Sequence, residues 1–144
     1  MKIRNARLFD ANIIFDIGNS VKEFKVSDKA SSFWSREILK NCVNSKTDFL
    51  LIAEDNKDII GFIIANYNPN FKKAIIENIF VKPEFKDRDI GKRLLKFLLD
   101  KLKKIKCEYV CALVDTNGKP AINFYLKEGF NKGMNCVWFD RVFK

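Results

Sequence analysis

Residues 75–95, IIENIFVKPEFKDRDIGKRLL, hold a strand, a charged loop and a helix in that order. IIENIFV is apolar and rich in β-branched residues, which is typical of a buried strand, and Pro83 ends it because proline cannot donate to a sheet ladder. From about Asp89 to Lys104, apolar residues recur every three or four positions, which predicts an amphipathic helix. The buried strand EYVCALV follows, so a β-α-β unit with two parallel strands is expected.

The segments around this unit are predicted to form further strands of the same sheet. MKIRNARL alternates in polarity, and two apolar runs flank the polar turn DNKD in residues 48–67, which predicts a hairpin. After the turn NPNFKK comes the strand AIIENIFV, and NCVWFDRVF near the end of the chain is expected to form the last strand. The sheet is therefore predicted to begin with antiparallel strands and to gain a parallel neighbour through the β-α-β unit, which makes it a mixed, mostly antiparallel sheet.

Three further helices are predicted from capping residues and apolar spacing. Asp10 would cap a helix over Ala11–Ile17. A short helix would start at Phe33, with Ser31 or Ser32 as its cap, and another would run from Pro120 to Lys127. The order β-α-α-β-β-β-α-β-α-β predicts an α/β (α+β) fold with a mixed sheet, helices on both faces and a single domain over residues 1–144.

Composition limits the classes of function. The chain has 144 residues, with 27 lysines and arginines against 18 acids and a net charge of +9, which favours an anionic partner without choosing among a nucleotide, a nucleic acid or an acidic protein. No nucleic-acid motif occurs, and no apolar run reaches the roughly 20 residues of a membrane helix. We therefore expect a cytoplasmic protein without a signal peptide, with no specific nucleic-acid partner and no membrane partner.

The absence of histidine narrows the possible chemistry. The chain has no histidine and four scattered cysteines, a pattern that does not suit zinc, so no metal is expected. Histidine-based nucleophile pairs are excluded, and proton transfer falls to Asp, Glu, Tyr, Lys, Cys or water.

Two segments are candidates for a functional site. The start of the helix after Pro83 offers unpaired N–H groups beside Arg88, Lys92 and Arg93, which suits phosphate, although a solvated helix face would look the same. Residues 117–130, NGKPAINFYLKEGF, place Tyr125 on a short helix, where an aromatic residue taken alone is as well explained by the core.

Together, the two segments resemble the motifs of the GNAT acetyltransferase superfamily. The cofactor motif V-x-P-x-[YF]-[QR]-x-x-G-x-[GA]-x-x-L and the later motif N-x-x-A-x-x-x-Y-x-x-x-G-F are both matched at most positions. The matching residues are Val81, Pro83, Phe85, Gly91 and Leu94 in the first motif, and Ala121, Tyr125, Gly129 and Phe130 in the second. The predicted strand order is also similar to that fold over essentially the whole chain.

The resemblance implies acetyl-CoA as the donor and an amine as the acceptor. It implies that strands 4 and 5 are parallel and splay apart, and that the pantetheine pairs with Ile79, Phe80 and Val81. It places the pyrophosphate on Lys86, Asp87, Arg88, Asp89, Ile90, Gly91 and Lys92. It gives Tyr125 the role of protonating the departing thiolate, and Asn117 a place in the cofactor site.

The chain departs from the motifs at three positions. Lys86 replaces the usual Gln or Arg, Asp89 replaces the first glycine, and Gly118 occupies the Asn position by strict spacing, with Asn117 one residue earlier. Asp89 tolerates left-handed backbone geometry and is a favoured N-cap, so we expect it to hold the loop and cap the helix.

The general base and the acceptor site follow from the resemblance less directly. Glu77 on strand 4 lies near the position of a base in many members, and Asp115 is a second candidate; water alone could also suffice. Glu77 could equally be a structural strand residue. Phe33 and Trp34 fall where the fold borders its acceptor, although core packing explains such residues as well.

Two main readings follow. The first is an acetyl-CoA-dependent N-acetyltransferase that uses direct attack in a ternary complex, acting on a protein N-terminus, as the similar ribosomal-protein N-terminal acetyltransferases do, or on a small-molecule amine. The alternative is a non-catalytic acyl-CoA-binding or regulatory domain. A monomer and a homodimer are both compatible with the sequence.

Overall fold

The computed structural model describes residues 1–25 and 33–143, which fall into the units Met1–Ala112 and Leu113–Lys144. The strands of the first unit are β1 (Lys2–Asn5), β2 (Asp48–Asp55), β3 (Asp58–Asn68), β4 (Lys73–Val81) and β5 (Tyr109–Ala112). Its α-helices are α1 (Asp10–Asn19), α2 (Arg36–Asn44) and α3 (Ile90–Lys104), and the second unit contains α4 (Lys119–Lys127). No helix in these described ranges has the length and apolar character needed to span a membrane.

The sheet has the order β1-β2-β3-β4-β5. The pairs β1-β2, β2-β3 and β3-β4 are antiparallel, and the pair β4-β5 is parallel. In the turn between β2 and β3, Asn56 and Lys57 have positive φ values of 48° and 68°, as expected of a two-residue hairpin turn. The predicted mixed, mostly antiparallel sheet is confirmed.

Helices cover both faces of the sheet. On one face, Ile14 of α1 and Leu39 of α2 share a core cluster with Phe62 and Ile64 of β3. On the other, a Cβ added to Gly61 of β3 would lie 3.4 Å from Leu94 of α3. The buried stripe of α3 is Ile90, Leu94, Leu95, Leu98 and Leu102. Phe97 and Ile105, which follow the same apolar spacing in the sequence, are exposed instead.

Asp10 does not cap α1, contrary to the sequence prediction. The residue lies inside α1 and is buried, and its carboxylate accepts hydrogen bonds from the Arg4 guanidinium at 2.8 and 3.2 Å and from the Arg7 N–H at 2.7 Å. Arg4 also donates to Glu54 on β2 at 3.0 Å. The Asp10 carboxylate therefore pairs with the Arg4 guanidinium and does not cap the N-terminus of α1.

Two other boundaries differ from the prediction. The helix predicted from Phe33 begins at Arg36, because Ser35 caps it by accepting a hydrogen bond from the Ile38 N–H at 3.2 Å; the proposed caps Ser31 and Ser32 lie outside the described residues. The predicted last strand, residues 135–143, pairs with no strand in the described chain. Apolar side chains favour a strand, but only ladder hydrogen bonds with a neighbour make one.

Candidate active site

Strand β4 extends beyond its parallel neighbour. β5 pairs with β4 only from Lys73 to Ile76, where β5 ends at Ala112. From Glu77 to Val81, β4 pairs with β3 alone among the described strands, so its other edge offers unpaired backbone groups. Such an edge can add a further extended chain.

The residues predicted to pair with the pantetheine, Ile79, Phe80 and Val81, lie on this edge. Their register with β3 runs from Ile63↔Ile79 to Gly61↔Val81. A Cβ on Gly61 would lie 2.7 Å from the Phe80 carbonyl oxygen, which is too close for any other residue. Gly61 therefore lets β3 approach β4 closely in the part of β4 that does not pair with β5.

A β-bulge sits where the unpaired edge begins. Ile64 pairs with Asn78 and Ala65 pairs with Ile76, so Glu77 is an extra residue in β4. A bulge breaks the alternation of side chains between the two faces. Asn78 accordingly shares a face with Ile64, and its Oδ1 accepts a hydrogen bond from the Trp34 indole N–H at 2.7 Å.

Glu77 combines solvent access with an acidic neighbourhood. The residue is exposed, yet partial desolvation and then the charge of Asp48 raise the pKa of its carboxyl above the ordinary value. The pKa of the Cys42 thiol on α2 is likewise raised, by burial and then by Asp48 and Glu77. The raised pKa of the Glu77 carboxyl suits a general base.

The loop after β4 presents an open helix end. A 3-10 helix covers Pro83–Arg88, Asp89 has φ 56° and ψ 24°, and the first hydrogen bond of α3 runs from the Arg93 N–H to the Asp89 carbonyl at 3.0 Å. The N–H groups of Ile90, Gly91 and Lys92 precede that bond, and no side chain within residues 1–25 and 33–143 caps them. They are available to an anion, with the positive end of the helix dipole behind them.

The prediction for Asp89 is confirmed in one part and wrong in the other. Its backbone is left-handed, as expected where the motif has glycine. Its side chain makes no capping hydrogen bond. An N-cap normally has extended backbone geometry, which directs its side chain towards the N–H groups of the first turn, and a left-handed residue lacks that geometry.

Basic side chains accompany the loop. Lys86 and Arg88 lie in the last turn of the 3-10 helix, and Lys92 lies in the first turn of α3. The Arg88 guanidinium lies 5.1 Å from the centre of the Phe85 ring. Asp87 and Asp89 oppose them, so attraction for an anion depends on the backbone N–H groups as well as on the cations.

In the second unit, Tyr125 lies in an aromatic group. Its ring is 5.3 Å from that of Phe124 and 5.2 Å from that of Phe130, in edge-on geometry. The Phe130 N–H donates to the Tyr125 carbonyl at 3.0 Å across Gly129, whose φ is 87°. Burial raises the pKa of Tyr125 to about 12, so the phenol is protonated at every pH that an enzyme normally meets.

The turn before α4 is held by Asp115. Its side chain accepts from the Asn117 N–H at 2.8 Å, and its carbonyl accepts from the Gly118 N–H at 2.8 Å. Gly118 precedes the first residue of α4, and its carbonyl accepts from the Ile122 N–H at 3.0 Å. Asp115, the second candidate base, thus shapes the loop that carries Asn117.

The two predicted acceptor residues have different surroundings. Phe33 is 8% exposed, and its ring stacks on Phe24 at 5.5 Å and fills the space above Gly18. Trp34 is half-buried and bonds to Asn78. Sequence reasoning missed Asn78 and Asp48, since the bulge that turns Asn78 towards Trp34 has no signature in one sequence.

The comparisons with known proteins decide the family. The model of the acetyltransferase (GNAT) family matches residues 16–130. The chain belongs to the GNAT family. An uncharacterized N-acetyltransferase of Methanocaldococcus jannaschii is 32% identical over 104 residues, which is 69% of this chain and 46% of the relative. The match therefore spans less than half of that relative's length.

Solved structures of acetyltransferases share the fold. PaiA N-acetyltransferase of Thermoplasma acidophilum, in complex with coenzyme A, is 23% identical with a TM-score of 0.77, over 90% of this chain and 89% of that one. An aminoglycoside acetyltransferase from an uncultured soil sample, in complex with sisomicin, is 18% identical with a TM-score of 0.78, over 99% and 96%. At these identities the likeness concerns the fold.

Proposed function

We propose that this GNAT protein transfers an acetyl group from acetyl-CoA to a primary amine by direct attack in a ternary complex. The observation that carries the proposal is the open edge of β4, which leads through the 3-10 helix Pro83–Arg88 to the uncapped start of α3. Backbone groups of Ile79 and Val81 would hold an extended pantetheine, and the N–H groups of Gly91 and Lys92 would hold the pyrophosphate. Acetyl-CoA supplies the acetyl group as a thioester.

The chain's own groups divide the proton transfers between them. Glu77, directly or through water, takes a proton from the acceptor ammonium. A carbon–nitrogen bond then forms as the carbon–sulfur bond breaks, and the nitrogen loses its second proton to water. Tyr125 donates its proton to the sulfur that leaves with the electron pair, and the phenolate regains a proton from water. The Tyr125 pKa of about 12 lies well above the roughly 8.5 of an ordinary thiol. We therefore expect the Tyr125 hydroxyl to donate a hydrogen bond to the sulfur before it transfers its proton completely.

The alternative is a non-catalytic acyl-CoA-binding or regulatory domain of the same fold. Asp89 and the displaced Asn117 are the observations in its favour, because both depart from the family's cofactor motifs. Tyr125 is the observation against it, since a protein that only binds acyl-CoA needs no donor to a thiolate. Cytoplasmic localisation and the choice between monomer and homodimer stay predictions.

Replacing Tyr125 with Phe tests the proposal. Thiol release from acetyl-CoA in the presence of an amine should fall about 100-fold, the scale of general acid catalysis, while CoA affinity persists. Tyr109→Phe, at an exposed position on β5, is the matched control and should keep full activity. Undiminished turnover in Tyr125→Phe would remove Tyr125 from the mechanism.

A further inference from the structure

The bond between Trp34 and Asn78 decides which end of the Asn78 amide points outwards. An indole N–H can only donate, so the atom that faces it at 2.7 Å must be the amide oxygen. The Asn78 Nδ2 group therefore faces away from Trp34. Among the described residues, none accepts a hydrogen bond from it, so both of its N–H groups are available.

Glu77, the residue before Asn78 in β4, carries a negatively charged acceptor where Asn78 offers a donor. The Glu77 carboxylate and the nearby Asp48 carboxylate attract a cation, and no lysine or arginine of the described chain forms an ion pair with either of them. Asp48 pairs with Asn66 and Asn78 pairs with Ile64, which lie two residues apart on β3, so Asp48 and Asn78 belong to the α1–α2 face of the sheet. Because the charge of Asp48 acts on Glu77, this part of the sheet presents an acceptor for an ammonium group near a donor for an oxygen.

We propose that Asn78 recognises an oxygen next to the reactive amine, so that the preferred acceptor is an α-amino amide, as at a peptide N-terminus, rather than an alkyl polyamine. The inference rests on the proposed acetyltransferase function. Glu77 and Asn78 are consecutive residues of β4, with Cα atoms about 3.8 Å apart, so neighbouring side chains would bind the amine and the carbonyl oxygen of one aminoacyl group. A polyamine carries only donors when protonated and would leave the Asn78 N–H groups unpaired.

Trp34 has a positioning role in this arrangement. Without its indole N–H, the Asn78 amide could rotate and present its oxygen outwards. The Trp34 ring is half-buried at the start of the segment leading into α2, so its bond to Asn78 also joins that segment to β4 beside the bulge.

Matched acceptors test the proposal. Alaninamide and 3-methylbutan-2-amine have similar shapes, but only the first has the carbonyl oxygen, and alaninol replaces the carbonyl with a hydroxyl. The kcat/KM for thiol release, corrected for the fraction of free amine, should be about 10–100-fold higher for alaninamide than for the alkylamine. A clear preference for alaninol over alaninamide would overturn the assignment to an aminoacyl group.

Variants assign the preference to named atoms. Asn78→Ala should abolish the preference by lowering kcat/KM for alaninamide about 10–100-fold more than for the alkylamine, and Asn78→Asp, which keeps the shape but replaces the donors, should reverse it towards the alkylamine. Trp34→Phe should weaken the preference in the native background and have no effect on it in Asn78→Ala. Asn41→Ala, on the exposed side of α2, is the control and should behave as the native protein.

The outcomes separate this inference from the proposed function. Acetyl transfer with equal kcat/KM for alaninamide and the alkylamine would overturn the role of Asn78 and leave the acetyltransferase function intact. An equal loss on all acceptors in Asn78→Ala, with native thermal unfolding, would also overturn it. Absence of thiol release with every acceptor would overturn both.

Discussion

The Asp89→Gly substitution separates the shape of the cofactor loop from its charge. Asp89 is left-handed and caps nothing, so glycine keeps the backbone and removes only a carboxylate. At about 8 Å in water, that carboxylate would repel each of two phosphate charges by about 0.5 kcal/mol, and salt reduces this by roughly half. Acetyl-CoA should therefore bind about two- to fivefold more tightly to the variant.

The cost in stability should be small. The greater conformational entropy of glycine in the unfolded chain lowers the free energy of unfolding by about 0.5–1 kcal/mol. Loss of the carboxylate at the helix N-terminus lowers it by about 0.3–1 kcal/mol more. Relief of the left-handed strain contributes about 1 kcal/mol in the opposite direction. Denaturant unfolding should therefore show a net loss of about 0–1 kcal/mol.

Calorimetric titration with CoA checks the affinity, and Asp89→Asn provides the control because it removes the charge while retaining tolerance of left-handed geometry. Both variants should bind more tightly than the native protein, and both gains should shrink as salt is added. A loss of tenfold or more in Asp89→Gly would refute our account of the loop, since it would mean that the carboxylate itself supports the site.

Three other predictions concern titrating groups. In native protein kcat should rise with pH through a Glu77 pKa above the ordinary 4.5, and Glu77→Gln should lose this acidic limb; an unchanged limb would exclude Glu77 as the base. With Tyr125 near pKa 12, kcat should show no alkaline decline attributable to Tyr125 below about pH 11. Burial alone would raise the pKa of the Asp10 carboxyl, but its hydrogen bonds to Arg4 and to the Arg7 backbone outweigh burial and lower the pKa. The stability that Asp10 gives the folded protein is therefore present above about pH 4 and is lost as the pH falls through the pKa that Asp10 has in the folded state. Asp10→Asn should cost about 1–3 kcal/mol in urea unfolding at pH 7, because Arg4 keeps its ion pair with Glu54, and a cost under 1 kcal/mol, as expected for the exposed Asp16–Arg36 pair, would contradict this.

Much of the fold could be predicted because local pattern and topology agree. The polar turn around Asn56 and Lys57 and the periodicity of α3 are local signals, and each was confirmed. Asp10 was misassigned because its partner Arg4 lies on β1, and one buried ion pair outweighs a capping preference. The strand over residues 135–143 was wrong because apolar content says nothing about an available neighbour.

One part of the candidate site could be predicted from the sequence and the other could not. The cofactor loop has a sequence signature, since Pro83 and Gly91 have fixed spacing, and the left-handed backbone at Asp89 followed from the glycine that the motif has there. The acceptor side has no such signature. Its geometry depends on the bulge at Glu77, which arises from the register between β3 and β4, and on a side-chain bond from Trp34 to a residue 44 positions away.

The most direct test is to mix the purified protein with acetyl-CoA and alaninamide and to measure free thiol and acetylated product together, by colorimetry and mass spectrometry. Our account predicts amine-dependent thiol release in equal amount to N-acetylalaninamide, and strong loss of both in Tyr125→Phe. Measurable CoA binding without amine-dependent thiol release, across peptides, amino alcohols and alkylamines, would contradict it and favour the non-catalytic alternative.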